Sequence, residues 1–107
     1  MNSLAVIERE PAASKIEVTE DELIVFLVDG RRICVPLAWY PRLFHGSMAE
    51  RNDCELMGRG TGIHWPQLDE DISVSGMLRG NPSFESDQSL QRWLSKRQGQ
   101  QAGRGNE

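Results

Sequence analysis

A chain of 107 residues has room for one domain, and a domain this short buries a smaller share of its surface than a large one, so the core must be compact. The longest apolar run, Leu23 to Val28, has six residues against the roughly 20 that a bilayer-spanning helix needs, and no basic residue precedes the first apolar run as an export signal would require. The reading therefore excludes the membrane and expects a cytoplasmic protein. Charge is uneven: residues 1 to 78 carry 7 Lys or Arg against 13 Asp or Glu, and residues 79 to 107 carry 5 against 3. An acidic folded part repels a phosphate backbone, so nucleic acid is disfavoured for the core, and the basic tail is a weak electrostatic footprint.

In chain order, residues 1–14 show no periodicity and are expected to form a loose arm. From Lys15, Ile16 and Val18 alternate with Glu17 and Thr19, the period of a half-buried strand. The carboxylates Glu20, Asp21 and Glu22 make a turn, and the β-branched run Leu23 to Val28 reads as a central strand covered on both faces. Asp29-Gly30 between two β-rich runs predicts a type I′ hairpin. The return strand, Arg31 to Leu37, sets Ile33 and Val35 on one side and Arg32 and Cys34 on the other. Pro36 cannot donate a ladder hydrogen bond, which puts it at the strand's end or at a sheet edge.

Trp39, Tyr40, Leu43 and Phe44 form a lid over the sheet, with Pro41 suited to the first turn of a short helix. Ser47 and Glu50 match a capping box that opens a second helix ending near Asn52. Cys54 to Met57 alternates like a strand. Gly58, Gly60 and Gly62 invite comparison with a phosphate cradle, but they lead into Ile63-His64-Trp65-Pro66, which cannot start a helix, so they are read as a flexible hairpin into a last strand at Ile63 to Trp65. Asp69, Glu70 and Asp71 form a solvated acidic loop ahead of a helix capped by Ser73, with Val74, Met77 and Leu78 on its apolar face and Gly80 ending it. Ser86 caps a final helix in which Leu90, Trp93 and Leu94 share a face flanked by Arg92, Lys96 and Arg97. Residues 98–107 are too polar and glycine-rich to order themselves.

These elements define an α+β fold: a small, mostly antiparallel sheet of about five short strands with two or three short helices, in the order β-β-β-α-β-β-α plus a C-terminal helix. The domain spans 15–80, the amphipathic helix 81–97 and the tail 98–107. Cys34 and Cys54 are expected to be reduced, buried thiols. With His45 and His64 they make a zinc-like inventory, but the spacing lacks the close ligand pairs of a structural site, so neither metal nor cofactor is expected.

The hairpin at Asp29-Gly30, the Pro41-Arg42-Leu43 segment, Gly62-Ile63-His64-Trp65-Pro66, Leu68-Asp69-Glu70-Asp71-Ile72-Ser73-Val74 and the close from Leu78 to Gly80 together resemble the bacterial family of unknown function DUF2442. The resemblance covers about Lys15 to Gly80 and implies a small α+β domain with no known activity. Genes of that family often lie beside another short gene, from which a toxin–antitoxin style pairing has been suggested. Some members add a DNA-binding helical domain, for which this tail has too few helices.

Three functions follow as expectations. The leading one is a non-catalytic protein-interaction or regulatory module, an antitoxin-like partner of another small protein, with a homo-oligomer as the other association to look for. Its contact surface is His64, Trp65, Asp69, Glu70 and Asp71, with Arg92, Trp93, Lys96 and Arg97 as tail contacts. The second is nucleic-acid binding through the basic helix and Arg79. The third is an enzyme using His64 with Asp69 or Asp71.

Overall fold

The structure is a computed structural model that describes residues 10–105, with side chains to residue 99. Its elements are β1 (Ala13–Val18), β2 (Glu22–Leu27), β3 (Arg32–Pro36), α1 (Pro41–His45), α2 (Met48–Asn52), β4 (Glu55–Met57), β5 (Gly62–Trp65), β6 (Glu70–Ser73), α3 (Val74–Leu78) and α4 (Asp87–Gly105). Single 3-10 turns lie at Leu37–Trp39 and Gly58–Gly60. The class is α+β, and its strands form two antiparallel sheets, β1-β2-β3 and β4-β5-β6. The arm expected over residues 1–14 lies outside the described residues up to residue 9, and Ala13 and Ser14 open β1.

In the first sheet, Ile16, Val18, Leu23, Val25, Val35 and Ile33 meet in register on one face, which is what period-two alternation demands. A bulge near Ser14 turns Ala13 to the same side. β2 is central but not covered on both faces as its composition suggested, because Ile24 and Phe26 stay half-buried on the far side. There Lys15 Nζ and Arg32 Cζ lie 5.1 and 5.8 Å from the Phe26 ring centroid, so two cations rather than a second layer shield the ring. Cys34 shares that face and is exposed, not buried; Cys54 is half-buried and both thiols are free. Pro36 ends β3 at the sheet edge.

The hairpin differs from the expected type I′ turn. Only Gly30 has positive φ, at 97°, while Gly30 N donates to Leu27 O at 3.0 Å and Leu27 N to Arg31 O at 2.8 Å. One extra loop residue relieves Asp29 of the left-handed conformation and frees its carboxylate to accept from Arg31 N at 3.0 Å.

The helical connection follows its local signals. Pro41 starts α1, and both halves of the Ser47–Glu50 capping box form at α2. The second sheet has one strand more than expected. The chain reverses through Pro66 to Asp69, with Asp69 at φ 51°, and Glu70–Ser73 returns beside β5, placing Ile72 opposite Ile63. Burial of Ile72 between two carboxylates and Ser73 outweighs the loop-like composition of the acidic triplet. Ser73 then caps α3 by accepting from Gly76 N at 3.1 Å.

The two sheets share one core built on Leu23, Val25, Leu37, Leu43, Ile63, Trp65, Leu68 and Val74. They touch where Gly60, at φ +89°, lies against β1. A Cβ built there would fall 2.3 Å from Ala13 O. Both the backbone conformation and the contact exclude a side chain. Gly60→Ala should therefore cost about 2–4 kcal/mol in chemical denaturation, combining left-handed strain with a backbone clash. Gly30→Ala, with open space around the added methyl, should cost only about 1 kcal/mol.

Candidate interaction surfaces

Alternation along the second sheet puts Leu56, Ile63 and Ile72 on one face, where Ile63 and Ile72 are buried and Leu56 stays exposed at the edge, and leaves two rows on the other face. One row is Glu55, His64 and Asp71, the other Met57, Gly62 and Ser73. His64 Nδ1 lies 2.6 Å from Asp71 Oδ1. Gly62 has no side chain between Met57 and Ser73, and this gap floors a notch of about 440 Å³ rimmed by the carboxylates of Glu10 and Asp71.

The five predicted surface residues divide. His64 and Asp71 meet on the outer face. Trp65 does not reach it: two positions on from Ile63 it points inward, fully buried, with Nε1 donating to Arg51 O at 2.8 Å. Asp69 sits on the reversing turn, and Glu70 on the free edge of β6 faces a second depression.

That depression, a cleft of about 540 Å³, runs between β6 and residues 81–85. Arg42 forms its floor. Its Nε donates to both carboxylate oxygens of Glu85 at 3.0 Å, and its Nη1 donates to Leu68 O at 3.3 Å and Asp69 O at 3.2 Å. The Arg42 and Glu85 side chains are only 15% and 10% exposed, so this pair is partly desolvated and stronger than an ordinary surface ion pair. The guanidinium holds the Glu85 carboxyl below its usual range. Burial pushes the Tyr40 phenol up to about 12, and its hydroxyl donates to Asn81 O at 3.3 Å. Burial likewise raises Glu70 to about 7 against the opposing pull of Arg42, and its carboxylate makes no hydrogen bond among the described residues.

α4 docks on its own domain. The Trp93 ring lies between two guanidinium groups, Arg42 at 5.1 Å and Arg97 at 4.7 Å, and Arg97 donates to Glu50 at 2.9 and 3.1 Å. Ser89 Oγ donates to Glu85 at 2.8 Å. Of the predicted tail contacts, Trp93 and Arg97 are thus held by the domain, whereas Arg92 and Lys96 are exposed. Tyr40 and Glu50 enter the sequence reading only as a lid residue and a helix cap and Arg42 only as part of the family resemblance; that they and Glu85 hold the tail has no counterpart in the expectations. The one available signal was the series Glu85, Ser89, Trp93, Arg97 at spacings of four, a helical stripe hidden beside the more conspicuous Leu90 and Leu94, which are half-buried.

A small α+β domain with an acidic outer face and two three-stranded sheets, extended by one docked helix, is the class these features define. Residues 13–83 match the family model described as protein of unknown function (DUF2442), and the chain belongs to that family. It is similar to the crystal structure of a protein of unknown function from Rhodospirillum rubrum, with 29% identity, 72% of this chain and 95% of that chain covered, and a TM-score of 0.63. It shares its fold with the solution structure of an uncharacterized protein from Chromobacterium violaceum at 17% identity and TM-score 0.59, over 80% of this chain and 75% of that one. No curated protein matches. Among the described residues no helix is long and apolar enough to cross a membrane.

The raised Glu70 carboxyl sets a pH dependence. A carboxyl that protonates more readily folded than unfolded adds stability at pH values below its unfolded pKa, and that contribution is lost as pH rises through about 7. Urea denaturation should find Glu70→Gln more stable than the natural chain at pH 8 and indistinguishable from it near pH 4.

Proposed function

We propose that the protein is a non-catalytic protein-interaction module, an antitoxin-like partner of another small protein, which receives a basic surface of that partner on the acidic face of the second sheet. The observation that carries this reading is the open row Glu55, His64, Asp71 beside the Met57 notch. The carboxylates of Glu10, Glu55 and Asp71 beside the exposed Met57 side chain offer a lysine or arginine both a counter-ion and an apolar bed for its stem. Complementary charge of this kind speeds encounter and rejects acidic competitors.

Nucleic-acid binding through the last helix draws less support. Arg97 is engaged with Glu50 and Trp93, which leaves Arg79, Arg92 and Lys96 as exposed cations attached to an acidic domain. The His64–Asp71 pair is the arrangement that orients an imidazole for proton transfer, yet no hydroxyl or thiol hydrogen-bonds to the ring among the described residues.

Affinity capture of the full chain from its native host should retain one small partner in stoichiometric amount, and Glu55→Lys with Asp71→Lys should lose it while folding normally. Absence of a stoichiometric partner, or equal capture by the charge-reversed chain, overturns the proposal.

A further inference from the structure

The cleft beside β6 has the form of a place for one more strand. β6 pairs with β5 on one side and is the edge of its sheet on the other. Residues 81–85 run along that free edge without a backbone hydrogen bond to it: Ser83 N donates to Trp39 O, and Asn81 O accepts from Tyr40. The interval between them holds about 540 Å³. An unpaired strand edge presents a row of N–H and C=O groups that template another extended chain.

The walls restrict the occupant. Asp69, Glu70, Asp71 and Glu85 face the cleft with Arg42 and Arg79 as its cations, and Arg42 is committed to Glu85. The Glu70 carboxylate is half-buried and without a hydrogen-bonded partner among the described residues. On the outer wall Phe84 is 87% exposed, a large aromatic that nothing among the described residues covers. Pairing with the same edge of a second copy would set these carboxylates against one another, so like-charge repulsion disfavours self-association here. The family match includes β6 but stops at residue 83, before Phe84, Glu85 and α4. The Phe84 and Glu85 end of the wall, and the helix that follows it, therefore lie beyond the matched region, while Asn81, Pro82 and Ser83 lie within it.

We infer that the groove between the free edge of β6 and residues 81–85 binds an extended, basic segment of a protein partner as a fourth strand of the second sheet, with a lysine or arginine on Glu70 and an apolar side chain against Phe84. This rests on the interaction reading above and adds to the outer-face contact a second one, at the sheet edge, together with the conformation of the bound segment. Main-chain hydrogen bonds to β6 supply affinity, and the alternate side chains supply selectivity. At about 3.3 Å per residue, the four residues of β6 accommodate a segment of about four to six residues.

The test is an NMR titration of the isotope-labelled full chain with an acetylated hexapeptide alternating lysine and valine. Two control peptides replace its lysines by glutamate or place proline at its centre. The expected result is perturbation centred on residues 70–73 and 83–85, with new hydrogen-exchange protection in β6. Affinity should fall at least tenfold in Glu70→Lys, severalfold in Phe84→Ala, and beyond detection with either control peptide. Phe84 is so exposed that its truncation leaves folding intact. Perturbation centred instead on Glu55, Met57 and His64, with β6 exchange unchanged, overturns the groove while leaving the interaction reading in place. Equal binding of the proline peptide, or no binding at millimolar concentration, also overturns the groove. Capture of a partner through the outer face decides the broader reading separately.

Discussion

Arg51 holds the separate pieces of this molecule in one arrangement. It is 9% exposed, and its guanidinium donates at 2.8 Å to Phe44 O and to Leu43 O, carbonyls of the C-terminal turn of α1, the latter also accepting from Gly46 N at 3.1 Å. A third donor reaches Glu20 O at 3.4 Å in the turn between β1 and β2, while the Arg51 carbonyl accepts the indole N–H of Trp65. A buried guanidinium is costly unless its donors are matched; here carbonyl dipoles match them, including those at the negative end of a helix. One residue of α2 thereby connects the first sheet, α1 and the most buried aromatic of the second sheet. With helices of five residues, propensity alone could not hold that connection.

Arg42, earlier in the same connection, does for the tail what Arg51 does for the sheets. It fixes the turn before β6 through Leu68 O and Asp69 O, fixes Glu85 by three hydrogen bonds from Nε and Nη2, and lies over the Trp93 ring. Arg97 and Glu50 close the arrangement from α4 and α2. The groove beside β6 is a consequence. The chain after Gly80 is anchored at Trp39, Tyr40 and Arg42, which hold it alongside the edge strand without letting it pair. An acidic core domain with a basic tail thus becomes a domain whose tail cations are partly internal and whose outward charge is chiefly negative.

Features governed by neighbours in sequence were legible before any coordinates. The Pro41 start, the Ser47–Glu50 box, the Ser73 cap and the edge position of Pro36 each depend on a few residues and their backbone requirements. Where burial competed with composition, the residues misled. Three carboxylates concealed β6, because period-two alternation there rests on Ile72 alone. Trp65 beside His64 suggested a shared contact surface, yet strand parity with Ile63 forces the indole inward. Arg42 and Glu85 are 43 residues apart, and no local pattern announces a pair at that separation. The tail's attachment was hidden for the same reason, since Trp93 packs against the distant core and meets the guanidinium groups of Arg42 in α1 and of Arg97.

The wall beside β6 depends on the chain after Gly80 folding back against Arg42. Nuclear Overhauser contacts of the Trp93 indole in the intact chain test it most directly. The account predicts cross-peaks from the ring to the side chains of both Arg42 and Arg97, together with a slowly exchanging Arg42 Nε–H. A Trp93 ring with no contact to the domain and an Arg42 Nε–H exchanging at the rate of a free side chain would contradict it.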